Sequence, residues 1–187
     1  MRHGPGNFLA AALMVAAIAA AVSPCQAKVF MTQEEALKTA FPTGAEVKRS
    51  TAYLTEEQAA EVEKAAGGPL PARVITCYRG TTASGGAATA YFDTHLVRTM
   101  PETLMIVVTE GGAIARIDVL SFDEPQEYLP RTGWSDQFKG RALDEDLSIR
   151  RGIAPITGAT LSARAVVSAA RRVLALHRVL SAGGVRP

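Results

Sequence analysis

A run of small and hydroxylated residues at positions 157–162 is the part of this 187-residue sequence whose composition and spacing could do chemistry. It reads Thr-Gly-Ala-Thr-Leu-Ser and leads into an Ala- and Leu-rich segment with helical periodicity. The first amides of a helix lack carbonyl partners, and the helix dipole adds about half a positive charge there. Thr157, Thr160 and Ser162 offer hydroxyl groups beside these amides. The pattern predicts a phosphate site, although an ordinary helix N-cap would use the same residues.

Other reactive groups in the sequence are sparse. His95 and His177 lack Cys, His or carboxylate neighbours at metal-site spacing, so we predict no metal site. His177 falls on the apolar arc of the last helical segment, which indicates a core residue. Cys77 lies in a β-prone run and is interpreted as a small core residue rather than a redox thiol. No acid–base pair converges near residues 157–162, so no catalytic residue is predicted.

Composition and charge exclude several classes of function. The 20 Lys and Arg residues nearly balance the 18 Asp and Glu residues, for a net charge of +2 without a dense basic stripe. Nucleic acid is therefore not a predicted partner. Hydrophobic residues form 48% of the chain, which is enough for one core.

Residues 1–27 predict an export signal. Arg2 precedes an apolar run of 15 residues at positions 8–22, and small residues at positions 25 and 27 suit cleavage after Ala27. The run is shorter than the roughly 20 residues of a spanning helix, so cleavage is favoured over an uncleaved anchor or a lipid-modified Cys25. We expect one domain at residues 28–187, periplasmic or membrane-attached on the extracytoplasmic side.

An antiparallel sheet flanked by helices is predicted to position residues 157–162, which gives an α+β fold. Capping boxes at Thr32 and Thr55 predict two short helices. Strands are predicted at residues 45–53, 73–79, 87–96, 104–109 and 113–122, with a hairpin at the Gly-Gly pair 111–112. Alternation in the last strand predicts one buried and one solvated face. A helix at residues 161–180 is expected to pack on the sheet and expose its arginines.

Between the sheet and the last helix, residues 123–146 form a polar stretch with three isolated aromatic residues: Tyr128, Trp134 and Phe138. A polar segment of this length in a small domain is typical of a functional loop.

The order of these features resembles the FMN-binding domain family, which includes the small FMN subunits of sodium-pumping NADH:quinone reductases and Rnf-type complexes. Residues 157–160 match the family pattern of Asp, two residues, Ser or Thr, Gly, Ala, then Thr or Ser. The similarity extends through most of residues 33–180. It includes the Gly-Gly hairpin, the Asp-Glu-Pro sequence at 123–125 and the Trp134 region.

This resemblance implies that Thr160 carries FMN through a phosphoester, which a flavin transferase installs from FAD. It implies further cofactor-binding residues at Thr157, Gly158, Ala159, Leu161 and Ser162, with Glu124 and Trp134 lining the pocket. The chain would be an electron carrier that serves a membrane or periplasmic redox partner protein, rather than an enzyme with its own substrate. Ala154 replaces the Asp of the pattern, so a non-flavinylated binding or interaction module of the same fold remains the alternative.

Overall fold

A six-stranded antiparallel sheet forms the centre of the computed structural model, which describes residues 28–131 and 133–183. The strands are β1 (Lys28–Val29), β2 (Lys48–Tyr53), β3 (Val74–Thr81), β4 (Ala87–Val97), β5 (Met100–Thr109) and β6 (Ile114–Phe122). Their order across the sheet is β1-β6-β5-β4-β3-β2. The predicted signal at residues 1–27 lies outside the described residues.

Three helices flank this sheet: α1 (Gln33–Ala40), α2 (Glu56–Ala66) and α3 (Thr160–Ala182). Both predicted capping boxes are formed, at Thr32 and at Thr55. Two short 3₁₀ helices, Gln126–Tyr128 and Trp134–Phe138, lie between β6 and α3. The predicted α+β fold is confirmed. Across residues 28–131 and 133–183, no helix combines the length and apolarity needed to cross a membrane.

The hairpin between β4 and β5 is tighter than the sequence indicated. β5 begins at Met100, whereas we expected a start at residue 104, and Met100 pairs directly with Val97. Only Arg98 and Thr99 remain between the paired residues, and Arg98 adopts a φ of +56°. This turn carries Arg98 to the edge of the site described below.

The prediction of one solvated sheet face is only partly correct. α2 and α3 pack on one face, and α1 covers part of the other through a second apolar cluster that includes Phe41 and Met105. Leu96 remains 66% exposed. The alternation expected in β6 is also interrupted. Ile114 and Ile117 both lie in the cluster under α3, because β-bulges shift the register between β5 and β6.

The expectation that α3 exposes its arginines is only partly correct. Arg164 and Arg178 are exposed, whereas Arg172 is 8% exposed. Its guanidinium donates two hydrogen bonds to Asp93, from Nε at 2.8 Å and from Nη2 at 2.7 Å. Arg171 donates to the carbonyl oxygens of Ala66 and Asp144, at 2.9 and 2.7 Å. These two arginines therefore fasten α3 to the sheet, to α2 and to the preceding loop.

Candidate functional site

The N-terminus of α3 is not capped by a side chain. Ala159 occupies the cap position, and no side-chain hydrogen bond closes the first turn. The first hydrogen bond into the helix runs from the Ala163 amide to the Ala159 carbonyl, at 3.1 Å. The interpretation of this motif as a simple hydroxyl N-cap is therefore wrong. The amides of the first turn remain available to an anion.

Gly158 sets the entry of the chain into α3. Its φ is +80°, a left-handed conformation that L side chains rarely adopt, and a Cβ built there would meet nothing within 4 Å. The requirement for glycine is thus conformational rather than steric. The turn places Thr160 as the first residue of the helix, with its side chain exposed.

A cavity of about 180 Å³ opens at Thr160. Its described lining consists of Arg98, Tyr128, Gly158, Ala159, Thr160, Leu161 and Ser162. Five of the predicted site residues therefore come together there, and Thr157 is exposed outside that lining. Ser162 is only 1% exposed, so Thr160 offers the accessible aliphatic hydroxyl in the described lining of the cavity. We call this space the Thr160 cavity.

Arg98 and Tyr128 are the lining residues that the sequence reasoning missed as site residues. Arg98 comes from the β4–β5 turn and Tyr128 from the first 3₁₀ helix. The guanidinium carbon of Arg98 lies 5.6 Å from the centre of the Tyr128 ring, which is a cation–π distance. A fixed cation and the positive end of α3 thus border the same space. The aromatic loop had drawn attention to Tyr128, but no local pattern marks Arg98.

Glu124 does not line the Thr160 cavity, although it was expected in the pocket. It is 8% exposed, and its Oε1 accepts hydrogen bonds from the amides of Thr99 and Met100, at 3.1 and 3.3 Å. These are the two residues that follow Arg98. Glu124 therefore fixes the turn that carries Arg98.

Trp134 lines a second and larger cavity of about 660 Å³, together with Leu129, Val166 and side chains of β6. We call it the Trp134 cavity. The indole Nε1 donates to the Ala154 carbonyl at 2.9 Å, and the Ala154 amide donates to Oε1 of Gln137 at 2.7 Å. Trp134 thus fixes the backbone at the position where the family pattern has Asp.

The donor set of the Thr160 cavity fits a phosphate ester. It combines uncapped helix amides, a guanidinium and an exposed hydroxyl, and its described lining has no acidic side chain. Pockets that enclose a whole cofactor-sized ligand span roughly 300–1,000 Å³. A volume of about 180 Å³ suits the phosphate end of a flavin nucleotide, whose rings must extend beyond it.

Residues 100–175 match the sequence model of the FMN-binding domain family. This region is an FMN-binding domain. It runs from β5 into α3, so it contains Glu124, Trp134 and Thr160, and it begins two residues after Arg98. No curated protein and no solved structure matches the chain significantly. The family resemblance inferred from the order of motifs is confirmed.

Two other groups considered in the sequence, His177 and Cys77, lie in the core and do not line the Thr160 cavity. Nδ1 of His177 lies 3.0 Å from the Tyr91 hydroxyl. Burial, reinforced by the charge of Arg79, lowers the pKa of His177 and favours the neutral form of its ring. Cys77 is 1% exposed and burial raises the pKa of its thiol, as suits a core residue.

A buried ionic network runs from the sheet to α3, and the sequence did not reveal it. His95 lies between Asp93 and Glu102, with ring nitrogens 2.8 and 2.9 Å from their carboxylates. Burial opposes a charged ring, but the hydrogen bonds and charges of both carboxylates outweigh it and raise the pKa of His95 to about 9. Arg172 completes the network through Asp93. In the described part of the chain, no group of three acidic, His or Cys residues has the geometry of a metal site.

Proposed function

We propose that this protein carries FMN covalently, through a phosphoester to Oγ1 of Thr160. The observation that carries the proposal is an exposed hydroxyl at an uncapped helix N-terminus, within a matched FMN-binding domain. Arg98 in the same cavity supports a negatively charged ligand. Ser162 is buried, and Thr157 lies outside the cavity lining, so neither offers an equally accessible hydroxyl within it.

The proposed attachment uses FAD and a flavin transferase as a partner during maturation. The bond between Oγ1 of Thr160 and the phosphorus of the FMN moiety forms, the bond from that phosphorus to AMP breaks, and AMP leaves. The hydroxyl proton is released, and no group changes oxidation state. The uncapped amides of α3 are placed to stabilise negative charge on the phosphoryl oxygens during this transfer.

The finished protein is proposed to be an extracytoplasmic electron carrier between a membrane redox chain and a periplasmic or membrane partner protein. The flavin supplies one- and two-electron chemistry, and the protein supplies its placement and local charge. A covalent link replaces the affinity that a fully enclosed pocket would otherwise provide. The link would therefore suit an open site in a compartment where free FMN is dilute. The export part of this proposal rests on residues 1–27.

Mass spectrometry of protein produced with an exported flavin transferase tests the attachment. We expect a tryptic peptide that contains residue 160 to be heavier by one FMN less water, with a yellow protein. Thr160→Ala should remove the modification, and Thr160→Ser should keep it because the hydroxyl remains. Thr157→Val deletes a neighbouring hydroxyl outside the cavity lining and is the matched control. Modified Thr160→Ala protein, or unmodified wild-type protein beside an active transferase, would contradict the proposal.

The second candidate function is a binding module that keeps the fold without the flavin, and Ala154 favours it. The Ala154 side chain is exposed, and Trp134 and Gln137 fix its backbone, so an Asp at this position fits without burial. If the missing carboxylate limits recognition by the transferase, Ala154→Asp should raise the flavinylated fraction several-fold. A colourless wild-type protein that turns yellow with this change would identify the natural chain as the module. Equal labelling of both would remove that candidate.

A further inference from the structure

We propose that Arg98 is the phosphate-recognition residue of this site and that Glu124 positions it. The inference rests on the proposed function, because it concerns the same flavin phosphate. It is separate from the family match, which begins at residue 100 and so does not include Arg98.

The backbone of Arg98 is the first reason. Its φ of +56° is uncommon for a residue other than glycine, and Arg98 is the first residue of the tight two-residue turn between β4 and β5. Asn and Gly adopt this conformation more easily. Placing an arginine in this backbone conformation costs free energy. A surface charge that only improved solubility would not need such a position. Strained residues of this kind cluster at ligand sites, where the surrounding structure holds them in place.

Glu124 supplies the structure that holds the turn. Its buried carboxylate accepts hydrogen bonds from the amides of both Thr99 and Met100. These two hydrogen bonds fix the backbone of the turn. Since Glu124 contacts the backbone beyond Arg98, it acts as a positioning residue and does not itself touch the phosphate.

Tyr128 fixes the direction of the guanidinium. The ring lies 5.6 Å from the guanidinium carbon, and both side chains line the Thr160 cavity. When a guanidinium lies over an aromatic ring, the N–H groups along its edge remain free to donate. Two of these N–H groups can bind two oxygens of one phosphate. Because the first residues of α3 line the same cavity, it offers donors of two kinds, guanidinium and amide, to one phosphate. It therefore favours FMN over riboflavin, which shares the ring system but lacks the phosphate.

Equilibrium binding of FMN and riboflavin to Thr160→Ala protein tests this inference, because no ester can form on that background. We expect FMN to bind tighter than riboflavin. Adding Arg98→Asn should weaken FMN binding roughly 10- to 100-fold, as for loss of charge-assisted hydrogen bonds. Riboflavin binding should stay within about twofold. Arg98→Lys keeps the charge without the fork and should give an intermediate affinity.

Arg150→Asn is the matched control. Arg150 is also exposed and has a positive φ, of 71°, but it does not line the Thr160 cavity. It should leave both affinities unchanged. Asn suits the left-handed conformation, so neither variant should lower the unfolding temperature.

The outcomes separate this inference from the proposed function. Wild-type protein that acquires FMN, together with Arg98→Asn protein that keeps the full preference for FMN, would overturn the role of Arg98 alone. Absence of any preference for FMN over riboflavin in the Thr160→Ala background would do the same. Wild-type protein that acquires no flavin beside an active transferase would overturn the proposed function.

Discussion

Glu124 is a buried residue that shapes the site without lining it. Because its Oε1 accepts from two amides of the β4–β5 turn, Glu124→Ala should free that turn and lower stability by about 1–2 kcal/mol. The rate of flavin transfer should fall with it, since Arg98 loses its fixed position. Glu124→Gln keeps an accepting oxygen and should retain most of the transfer rate. Chemical denaturation and the initial rate of flavinylation are the two measurements.

The comparison of these two Glu124 variants separates positioning from charge. If Gln lowers the transfer rate as much as Ala does, the carboxylate charge itself matters, and our assignment of a positioning role is wrong. If both variants transfer flavin at the wild-type rate while Ala is less stable, Glu124 serves the fold alone.

The sequence alone identifies those site residues whose role depends on their immediate neighbours in the chain. Gly158 and Thr160 are recognisable because the turn and the helix start that they form are contiguous in sequence. Arg98 was missed because it lies some 60 residues earlier, in the turn that the pairing of Val97 with Met100 closes. Long-range partners of this kind follow from strand register, which depends on the whole sheet.

Two side chains of the second 3₁₀ helix fix the backbone of Ala154 in the loop before α3. Trp134 and Gln137 both bond Ala154, and the Trp134 ring packs edge-on against Phe138 with centroids 5.3 Å apart. Trp134→Phe keeps an aromatic ring there but removes the Nε1 donor. We expect a loss of about 1 kcal/mol in the free energy of unfolding and faster amide exchange at residues 154–157.

A double-mutant cycle of Trp134→Phe with Gln137→Leu gives the control for this prediction. Since both side chains hold Ala154, the two losses should not add. Additive losses, with unchanged exchange at residues 154–157, would show that the two bonds do not act on one segment.

The helices and strands themselves followed well from the sequence where the signal was local. Capping boxes located the starts of α1 and α2, and the Gly-Gly hairpin joined β5 to β6. The burial of the faces did not follow. α1 covers part of the second face of the sheet, and bulges in the β5–β6 pairing break the alternation of β6. Neither the packing of a distant helix nor a β-bulge can be recognised from the hydrophobic periodicity of a single strand.

Buried ionic hydrogen bonds, as well as apolar contacts, connect the sheet to α3. Asp93 on β4 bonds both His95 on its own strand and Arg172 on α3, and His95 also bonds Glu102 on β5. Burial raises the pKa of Asp93, but its hydrogen bonds to His95 and Arg172 more than offset this and leave it lowered. The sequence could not show this network, because Arg172 falls on a helix face that reads as solvent-exposed. Its charges make stability depend on pH in a defined direction.

The pKa of His95 is raised from 6.5 to about 9 in the folded state. Its contribution to stability is therefore complete below pH 6.5 and is lost as the pH rises through about 9. The advantage of wild type over His95→Gln should shrink by on the order of 2 kcal/mol between those limits, measured by urea unfolding. His177→Gln is the control, because its stability difference from wild type should change with pH in the opposite direction. The lowered pKa of His177 makes its contribution complete above pH 6.5 and smaller as the pH falls. A His95→Gln difference that is constant between pH 6 and pH 10 would show that the fold does not raise the pKa of His95.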